Sequence, residues 1–185
     1  MTDLVHISGG PTKPEIIAVS LSKLDLRDGD TFVDIGCGTG AVSIAASRIA
    51  RDLNIYAIDA RAEAIDVAAQ NFETFKVPNV TLINGEVSQV LTEREDIGRI
   101  DCAFLGGTKN VENILKILAE KKVRSIVVNA VRIETVVRTM DIMRELGIYD
   151  EVVHIAVSRS KPITGETMFK PENPVYIIVA RSDKN

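Results

Sequence analysis

The sequence has no tryptophan, and all its aromatic residues together make up only 4% of 185 positions. Proteins that bind single-stranded nucleic acid stack bases on exposed aromatic side chains, and this sequence has few to offer. The formal net charge of -4 and the pI of about 5.3 also leave no overall basic footprint. We therefore predict that the chain binds no nucleic acid.

Cysteine and histidine are equally scarce, with two residues of each. Cys37 and Cys102 lie in apolar, strand-like surroundings that favour buried thiols, and two thiols form neither a disulfide framework nor a metal motif. We expect no protein-bound metal ion and, from the free thiols, a cytoplasmic location. No apolar run reaches the roughly 20 residues that span a bilayer, and no signal peptide is recognisable, so no membrane association is expected.

Strand-like and helix-like segments alternate along most of the chain. The last two predicted strands, 151–157 and 174–180, break this alternation, because the residues between them include Pro162, Gly165 and Pro171 and fit no helix. That ending predicts an antiparallel hairpin instead of a parallel crossover. The chain is therefore predicted to be one α/β domain over 1–185, with a Rossmann-like, seven-stranded, mostly parallel sheet and a C-terminal antiparallel hairpin. The other predicted strands are 31–35, 54–58, 80–83, 100–105 and 125–130, and predicted helices include 40–51, 61–72 and 134–146.

A glycine-rich loop joins the first predicted strand to the next helix. Glycine permits positive φ and lets a ligand lie against the backbone. The carboxyl end of a strand is also where open α/β sheets bind ligands. We therefore predict a cofactor site here. Its loop residues would be Gly36, Cys37, Gly38, Thr39 and Gly40.

The loop spacing alone does not choose the cofactor, because Gly36, Gly38 and Ala41 also satisfy the dinucleotide fingerprint. Asp59, after the second strand, stands where either cofactor needs an acceptor for its ribose hydroxyls. Asp34 distinguishes the two, since a carboxylate at the loop entrance repels a pyrophosphate but favours the cationic groups of S-adenosylmethionine (SAM). We predict SAM. In the alternative reading, Asp34 only hydrogen-bonds loop backbone.

Gly85-Glu86-Val87 follows the third strand. An acid at this place commonly lies near the adenine, and the next backbone N–H can meet a ring nitrogen. Glu86 could instead be a charge that the dipole of a following helix favours at its N-terminus. Both interpretations of Glu86 stay open at this point.

With these motifs placed, the chain resembles the CbiT family of cobalamin biosynthesis, the cobalt-precorrin-6B C15-methyltransferases that also decarboxylate their substrate. The likeness covers essentially the whole chain. It implies the class I SAM-methyltransferase fold. The most specific motifs are Gly10-Pro11-Thr12-Lys13, Leu105-Gly106-Gly107, Gly165-Glu166-Thr167-Met168-Phe169 and Asn173-Pro174-Val175.

The resemblance also assigns roles within the cofactor site. Thr12 is expected to contact SAM, the glycine loop to hold its methionine end, Asp59 its ribose and the Val87 backbone its adenine. The chain has Gly-Glu-Val where the family usually has Gly-Asp-Ala, and a backbone contact survives that change. No catalytic acid or base is identified.

The family's substrate is a tetrapyrrole with many carboxylates, so the substrate cleft should contain cations. We expect Lys13, Arg132, Arg159 and Lys161 to bind substrate, together with Gly106 and Gly107 after the fourth strand. The resemblance further implies a homotetramer, and a separate precorrin C5-methyltransferase is a plausible partner.

Three other functions compete with this interpretation. They are a methyltransferase of the same fold that acts on RNA or protein, a nicotinamide-dependent oxidoreductase and a non-catalytic SAM-binding module. The segment after the fourth strand reads Leu-Gly-Gly-Thr, unlike the Asn-Pro-Pro-Tyr type of motif found in amino-group methyltransferases. Net charge also disfavours RNA.

Overall fold

The computed structural model describes residues 4–7 and 12–182. A seven-stranded sheet with the order β3-β2-β1-β4-β5-β9-β6 forms its centre. The first five strands of this order, from β3 through β2, β1 and β4 to β5, are parallel to one another. Strand β9 lies antiparallel to both β5 and β6. The strands of this sheet are β1 (Thr31–Ile35), β2 (Asn54–Asp59), β3 (Val80–Asn84), β4 (Cys102–Leu105), β5 (Ser125–Ala130), β6 (Tyr149–Ile155) and β9 (Val175–Arg181).

Helices cover both faces of this sheet. The first three helices share one hydrophobic core with one face, and the last three share a second core with the other face. The central strands are buried on both sides, and this explains their continuous apolar sequences. The helices are α1 (Pro14–Leu24), α2 (Ala41–Ala46), α3 (Ala62–Phe75), α4 (Val87–Glu93), α5 (Val111–Glu120) and α6 (Ile133–Glu145), with a 3-10 turn at Glu95–Ile97.

In the described part of the chain, no helix combines the length and the apolar character that crossing a membrane requires.

The strand order reverses at β1, which has β2 on one side and β4 on the other. Ile35, the last residue of β1, pairs with Leu105, the last residue of β4. The segments that follow these two strands lead to helices on opposite faces of the sheet. A crevice opens between them, and in open α/β sheets ligands bind at this switch point.

The seven-stranded sheet with its antiparallel ending is the predicted fold class, which the structure confirms. The limits of the predicted strands shift by at most two residues, and three larger details differ. Helix α4 was not predicted, because its seven residues are too few for a helical period to stand out. Helix α2 ends at Ala46, earlier than the predicted 51.

The third difference is an additional two-stranded ribbon inside the C-terminal hairpin. It consists of β7 (Ser158–Ile163) and β8 (Glu166–Pro171), paired antiparallel. Every residue of both strands is exposed. The ribbon therefore has no alternation of buried and polar residues, and this alternation is the signal by which strands are predicted.

Candidate functional site

The glycine loop after β1 packs directly on the segment after β4. Gly36, Gly38 and Gly40 have φ of 71°, 55° and 76°, which only glycine adopts at little cost. A Cβ atom on Gly36 would lie 3.0 Å from the backbone nitrogen of Gly107. Glycine at position 36 thus allows the two loops to touch at the switch point.

Asp34 lies beneath this loop and is completely buried. Its Oδ2 accepts hydrogen bonds from the backbone nitrogen and the hydroxyl of Ser43, at 3.2 and 2.6 Å. Its Oδ1 has no partner among the described residues. Burial raises the pKa of Asp34 to about 6, against the effect of the Ser43 hydrogen bonds, and the charge of Asp59 adds to the rise. The structure therefore places Asp34 beneath the loop, with hydrogen bonds to Ser43 in the first turn of α2.

The buried Asp34 makes stability depend on pH in a defined direction. Folding raises its pKa from the ordinary value of 3.8 to about 6, so the folded state binds the proton more tightly than the unfolded state. This stabilising contribution is complete below about pH 4 and is lost as pH rises through about 6. Its full size is about 3 kcal/mol.

The variant Asp34→Asn cannot titrate at this position, and groups that do not interact with Asp34 cancel in its comparison with the wild type. We expect the free energy of unfolding of the variant, relative to wild type, to increase by about 2 kcal/mol between pH 4 and pH 7. Urea unfolding of both proteins at several pH values measures this difference. A difference that stays constant with pH would mean that Asp34 has an ordinary pKa in the folded state.

Asp59 closes β2 and is 4% exposed. Its Oδ1 accepts hydrogen bonds from the backbone nitrogen and Nε of Arg61, and its Oδ2 accepts from Arg61 Nη2 and Gly38 N, at distances of 3.0 to 3.1 Å. Burial alone would raise the pKa of Asp59, but the hydrogen bonds from Arg61 and Gly38 hold it below its ordinary value. The carboxylate is therefore charged, fixed in place and directed at the glycine loop.

A first cavity of about 420 Å³ opens between these elements. It is within the size range of small-molecule sites. Asp59 and Arg61 stand on one side, and the glycines after β1 and β4 provide backbone walls. Its described lining is Ile35, Gly36, Asp59, Ala60, Arg61, Glu86, Val87, Gly106, Gly107, Lys109 and Ile114.

A second cavity of about 570 Å³ lies on the other side of the segment after β4. Gly106 and Gly107 line both cavities, so the two share a wall. A Cβ atom on Gly107 would meet nothing within 4 Å, and this backbone therefore borders open space. The described lining of the second cavity is Thr12, Lys13, Ile16, Gly106, Gly107, Thr108, Asn129, Ala130, Val131, Arg132, Thr135, Asn173 and Val175.

The predicted cofactor residues divide into three groups in the structure. Gly36, Asp59, Glu86 and Val87 line the first cavity. Cys37, Thr39 and Gly40 are buried in the loop behind it, as Asp34 is, and the half-buried Gly38 of the same loop lines neither cavity. Thr12 lines the second cavity, although we expected it to contact the cofactor.

Both interpretations of Glu86 find support. The residue lines the first cavity, and it is also the N-cap of α4, where its Oε2 accepts a hydrogen bond from Gln89 N at 3.0 Å. The hydroxyl of Ser88 donates to the same oxygen, and these bonds lower the pKa of Glu86. The N-cap contact holds the side chain at the rim of the cavity.

The predicted substrate residues separate as well. Lys13 and Arg132 line the second cavity with Gly106 and Gly107. Arg159 and Lys161 are on β7, in the exposed ribbon, and line neither cavity. Arg159 forms ion pairs of 2.7 Å with Glu15 and Glu172. The structure thus places it at the base of the ribbon, outside the cleft that we expected it to line.

Several cavity residues were not predicted from the sequence. Arg61, Lys109 and Ile114 line the first cavity, and Asn129 lines the second. Asn129 had a usable signal, since it interrupts the apolar strand Ser125–Ala130 close to its carboxyl end. Arg61 and Lys109 stand in loops whose composition carries no such signal.

The fold, the glycine loop, the carboxylate after β2 and the two joined cavities define a class I, Rossmann-like methyltransferase. The chain belongs to the family described as the precorrin methyltransferase domain, whose model matches residues 4–181. A protein of Methanosarcina acetivorans named probable cobalt-precorrin-6B C(15)-methyltransferase (decarboxylating) is 66% identical, over 98% of each chain. A protein of the same name from Methanocaldococcus jannaschii is 37% identical, over 96% of this chain and 94% of that relative.

Solved structures agree with this assignment. The precorrin-6y C5,15-methyltransferase of Geobacter metallireducens superposes with a TM-score of 0.89 at 31% identity, covering 97% of this chain and 95% of the other. The precorrin 8W decarboxylase of Methanobacterium thermoautotrophicum gives 0.88 at 28% identity, over 97% of each chain. A tRNA (m1A58) methyltransferase of Aquifex aeolicus, with a TM-score of 0.76 at 18% identity, shares the fold alone.

Proposed function

We propose that this chain is a SAM-dependent methyltransferase of cobalamin biosynthesis. It methylates C15 of cobalt-precorrin-6B and removes carbon dioxide from the C12 acetate arm, which gives cobalt-precorrin-7. The names of the relatives supply the substrate and the two reactions. The observation that carries the proposal is the wall that Gly106 and Gly107 share between the two cavities, because methyl transfer needs donor and acceptor in adjoining sites.

The first cavity fits SAM in size and chemistry. The Asp59 carboxylate would accept both ribose hydroxyls in place of the exposed Arg61 side chain that binds it in the structure. The backbone of Gly36 leaves room for the methionine end, and Val87 and Ile114 offer apolar contact to the adenine. SAM supplies an activated methyl group on its sulfonium. The protein's own contribution is alignment, and positioning of this kind can lower a barrier by as much as about 7–11 kcal/mol.

The second cavity fits an anionic macrocycle. Its described lining places the cations Lys13 and Arg132 beside the apolar Ile16, Val131 and Val175. Lys13 Nζ lies 3.0 Å from Glu172 and donates to the backbone oxygen of Asn173 at 3.0 Å, so this ammonium group is already held at the cleft. Carboxylates of the substrate would bind at these cations, and its conjugated ring would lie against the apolar side chains.

A mass spectrum of cobalt-precorrin-6B after incubation with the full-length protein and SAM tests the proposal. We expect one added methyl group and the loss of one carbon dioxide molecule. A gain of the methyl group without loss of carbon dioxide would support the methyltransferase activity and contradict the decarboxylase activity. An unchanged substrate, with SAM binding demonstrated in parallel, would favour a methyltransferase of the same fold with a different acceptor.

The proposal includes a homotetramer. Ile163, Met168 and Phe169 expose 47%, 41% and 68% of their surface on the ribbon, and an isolated two-stranded ribbon is at best marginally stable in water. Contact with another copy of the chain would cover these side chains. Light scattering should then give four times the monomer mass, and a monomeric mass would contradict the assembly.

A separate precorrin C5-methyltransferase is proposed as a functional partner, supported by the C5,15 activity in the name of the Geobacter relative. A cytoplasmic location is also part of the proposal. Its support is that Cys37 and Cys102 are both free thiols in the structure, as expected in a reducing compartment.

A further inference from the structure

We propose that Asn129 holds the carboxylate that leaves as carbon dioxide and is the residue that positions the substrate for decarboxylation. This inference rests on the proposed function and assigns one of its two reactions to one part of the second cavity. It starts from the position of Asn129. Leu105, the last residue of β4, pairs with Val128, and Asn129 is the next residue on β5. Asn129 therefore lies beside Gly106 at the carboxyl end of the sheet, and it lines the second cavity together with Gly106 and Gly107, the residues shared with the first cavity.

Asn129 is held from behind by a fully buried partner. Its Oδ1 accepts a hydrogen bond from the hydroxyl of Ser20 at 3.2 Å, and its Nδ2 donates to the same hydroxyl at 3.1 Å. Ser20 is on α1 and has no exposed surface. Two contacts to one buried atom fix the plane of the amide. Each polar atom of the amide can form further hydrogen bonds, and Asn129 is half-buried in the lining of the cleft.

The chemistry of decarboxylation favours a neutral group at this place. The bond between the methylene carbon and the carboxylate carbon breaks, its electron pair enters the conjugated macrocycle, and carbon dioxide leaves. A proton from water then completes the methyl group that remains. Negative charge thus moves away from the carboxylate during the reaction. A cation bound to that carboxylate would stabilise the ground state more than the transition state and would slow the step.

The lining of the cleft contains two cations and one neutral amide, the two kinds of contact that this chemistry needs. Lys13 and Arg132 suit the carboxylates that the substrate keeps. The Asn129 amide is uncharged and has the apolar Ile16 and Val175 in the same cavity lining. A neutral hydrogen bond is roughly half as strong as a charge-assisted one. It can therefore orient the leaving carboxylate while stabilising the negative charge of the ground state less than a cation would. Orientation matters because the breaking bond must stand perpendicular to the conjugated plane for its electrons to enter that plane.

The test counts the two reactions separately in one mass spectrum. Full-length wild type and Asn129→Ala are incubated with SAM and cobalt-precorrin-6B, and methyl gain and carbon dioxide loss are followed in time. We expect Asn129→Ala to slow decarboxylation about tenfold or more and methylation less than about threefold, so that methylated substrate that retains the carboxylate accumulates. Loss of both reactions in proportion, or of neither, would overturn the assignment.

Two further variants strengthen the test. Ser20→Ala lies outside the cleft lining and should shift the ratio of the two reactions in the same direction by a smaller factor, because the amide plane is released. Thr92→Ala changes an exposed threonine of α4 that lines neither cavity and should leave the ratio unchanged. If Asn129→Ala does not fold, an unchanged ratio in Ser20→Ala overturns the inference on its own. A wild type that performs neither reaction would contradict the proposed function itself, independently of Asn129.

Discussion

Asp59→Ala is expected to weaken binding of S-adenosylhomocysteine, the product form of the cofactor, on the order of 10²-fold or more. The carboxylate is proposed to accept two ribose hydroxyls, and each hydrogen bond to a charged group is worth about 1.5–3 kcal/mol. Asp59 is 4% exposed and already fixed by Gly38 N, so it is oriented before the ligand arrives. Isothermal titration of the wild type and the variant measures the change.

The ion pair between Asp59 and Arg61 supplies the control for this experiment. Arg61 occupies both carboxylate oxygens in the structure, and its side chain is 59% exposed. Arg61→Gln breaks the same ion pair but leaves the carboxylate, and we expect it to bind S-adenosylhomocysteine at least as tightly as wild type. Equal affinity in wild type and Asp59→Ala would remove Asp59 from the cofactor site. Equal losses in Asp59→Ala and Arg61→Gln would assign the effect to the ion pair.

Gly107→Ala is expected to lower the rate of methyl transfer on the order of 10²-fold while leaving the fold intact. Gly107 lies in the wall shared by the two cavities, and an added methyl group there would separate donor from acceptor. A misplacement of about 1 Å can cost this much in rate. The variant should nevertheless be slightly more stable, by about 0.4–1 kcal/mol, because its Cβ atom meets nothing and alanine restricts the unfolded chain.

Gly36→Ala provides the contrast. Its Cβ atom would lie 3.0 Å from Gly107 N, and the residue has a φ of 71°. We expect a loss of stability in this variant, as opposed to the gain at position 107. Single-turnover methylation and urea unfolding of both variants distinguish the two effects. A Gly107→Ala protein with the wild-type rate would show that the methyl group is not transferred between the two cavities at Gly107.

The central sheet could be predicted because its strands are buried on both faces. Strands such as Thr31–Ile35 and Ser125–Ala130 are short apolar runs bounded by turn residues, and the structure gives both with the predicted limits. The ribbon of β7 and β8 could not be predicted in this way. All of its residues are exposed, so no core selects its side chains.

The candidate site shows the same division. In a Rossmann-like sheet, the parallel strands β1 and β2 end at the same edge, so the glycines after β1 and the carboxylate at the end of β2 are expected to meet there. Gly36 and Asp59 do line one cavity. The surroundings of Asp34 and Arg159 could not be predicted, because the charge of a residue does not reveal whether its side chain is buried or which partner it binds. Asp34 lies under the loop with Ser43, and Arg159 is paired with Glu15 and Glu172.

By itself, the sequence determined the strands of the central sheet, the antiparallel ending and the glycine loop, because each depends on local periodicity, backbone freedom or short-range spacing. Only the tertiary structure decided which charged groups face a cavity and which pair with each other. It alone joined Ser20 to Asn129 and Gly36 to Gly107, contacts that span 109 positions in the first case. Contacts of this kind arise when distant segments pack on one sheet, and no local pattern in either segment specifies the partner.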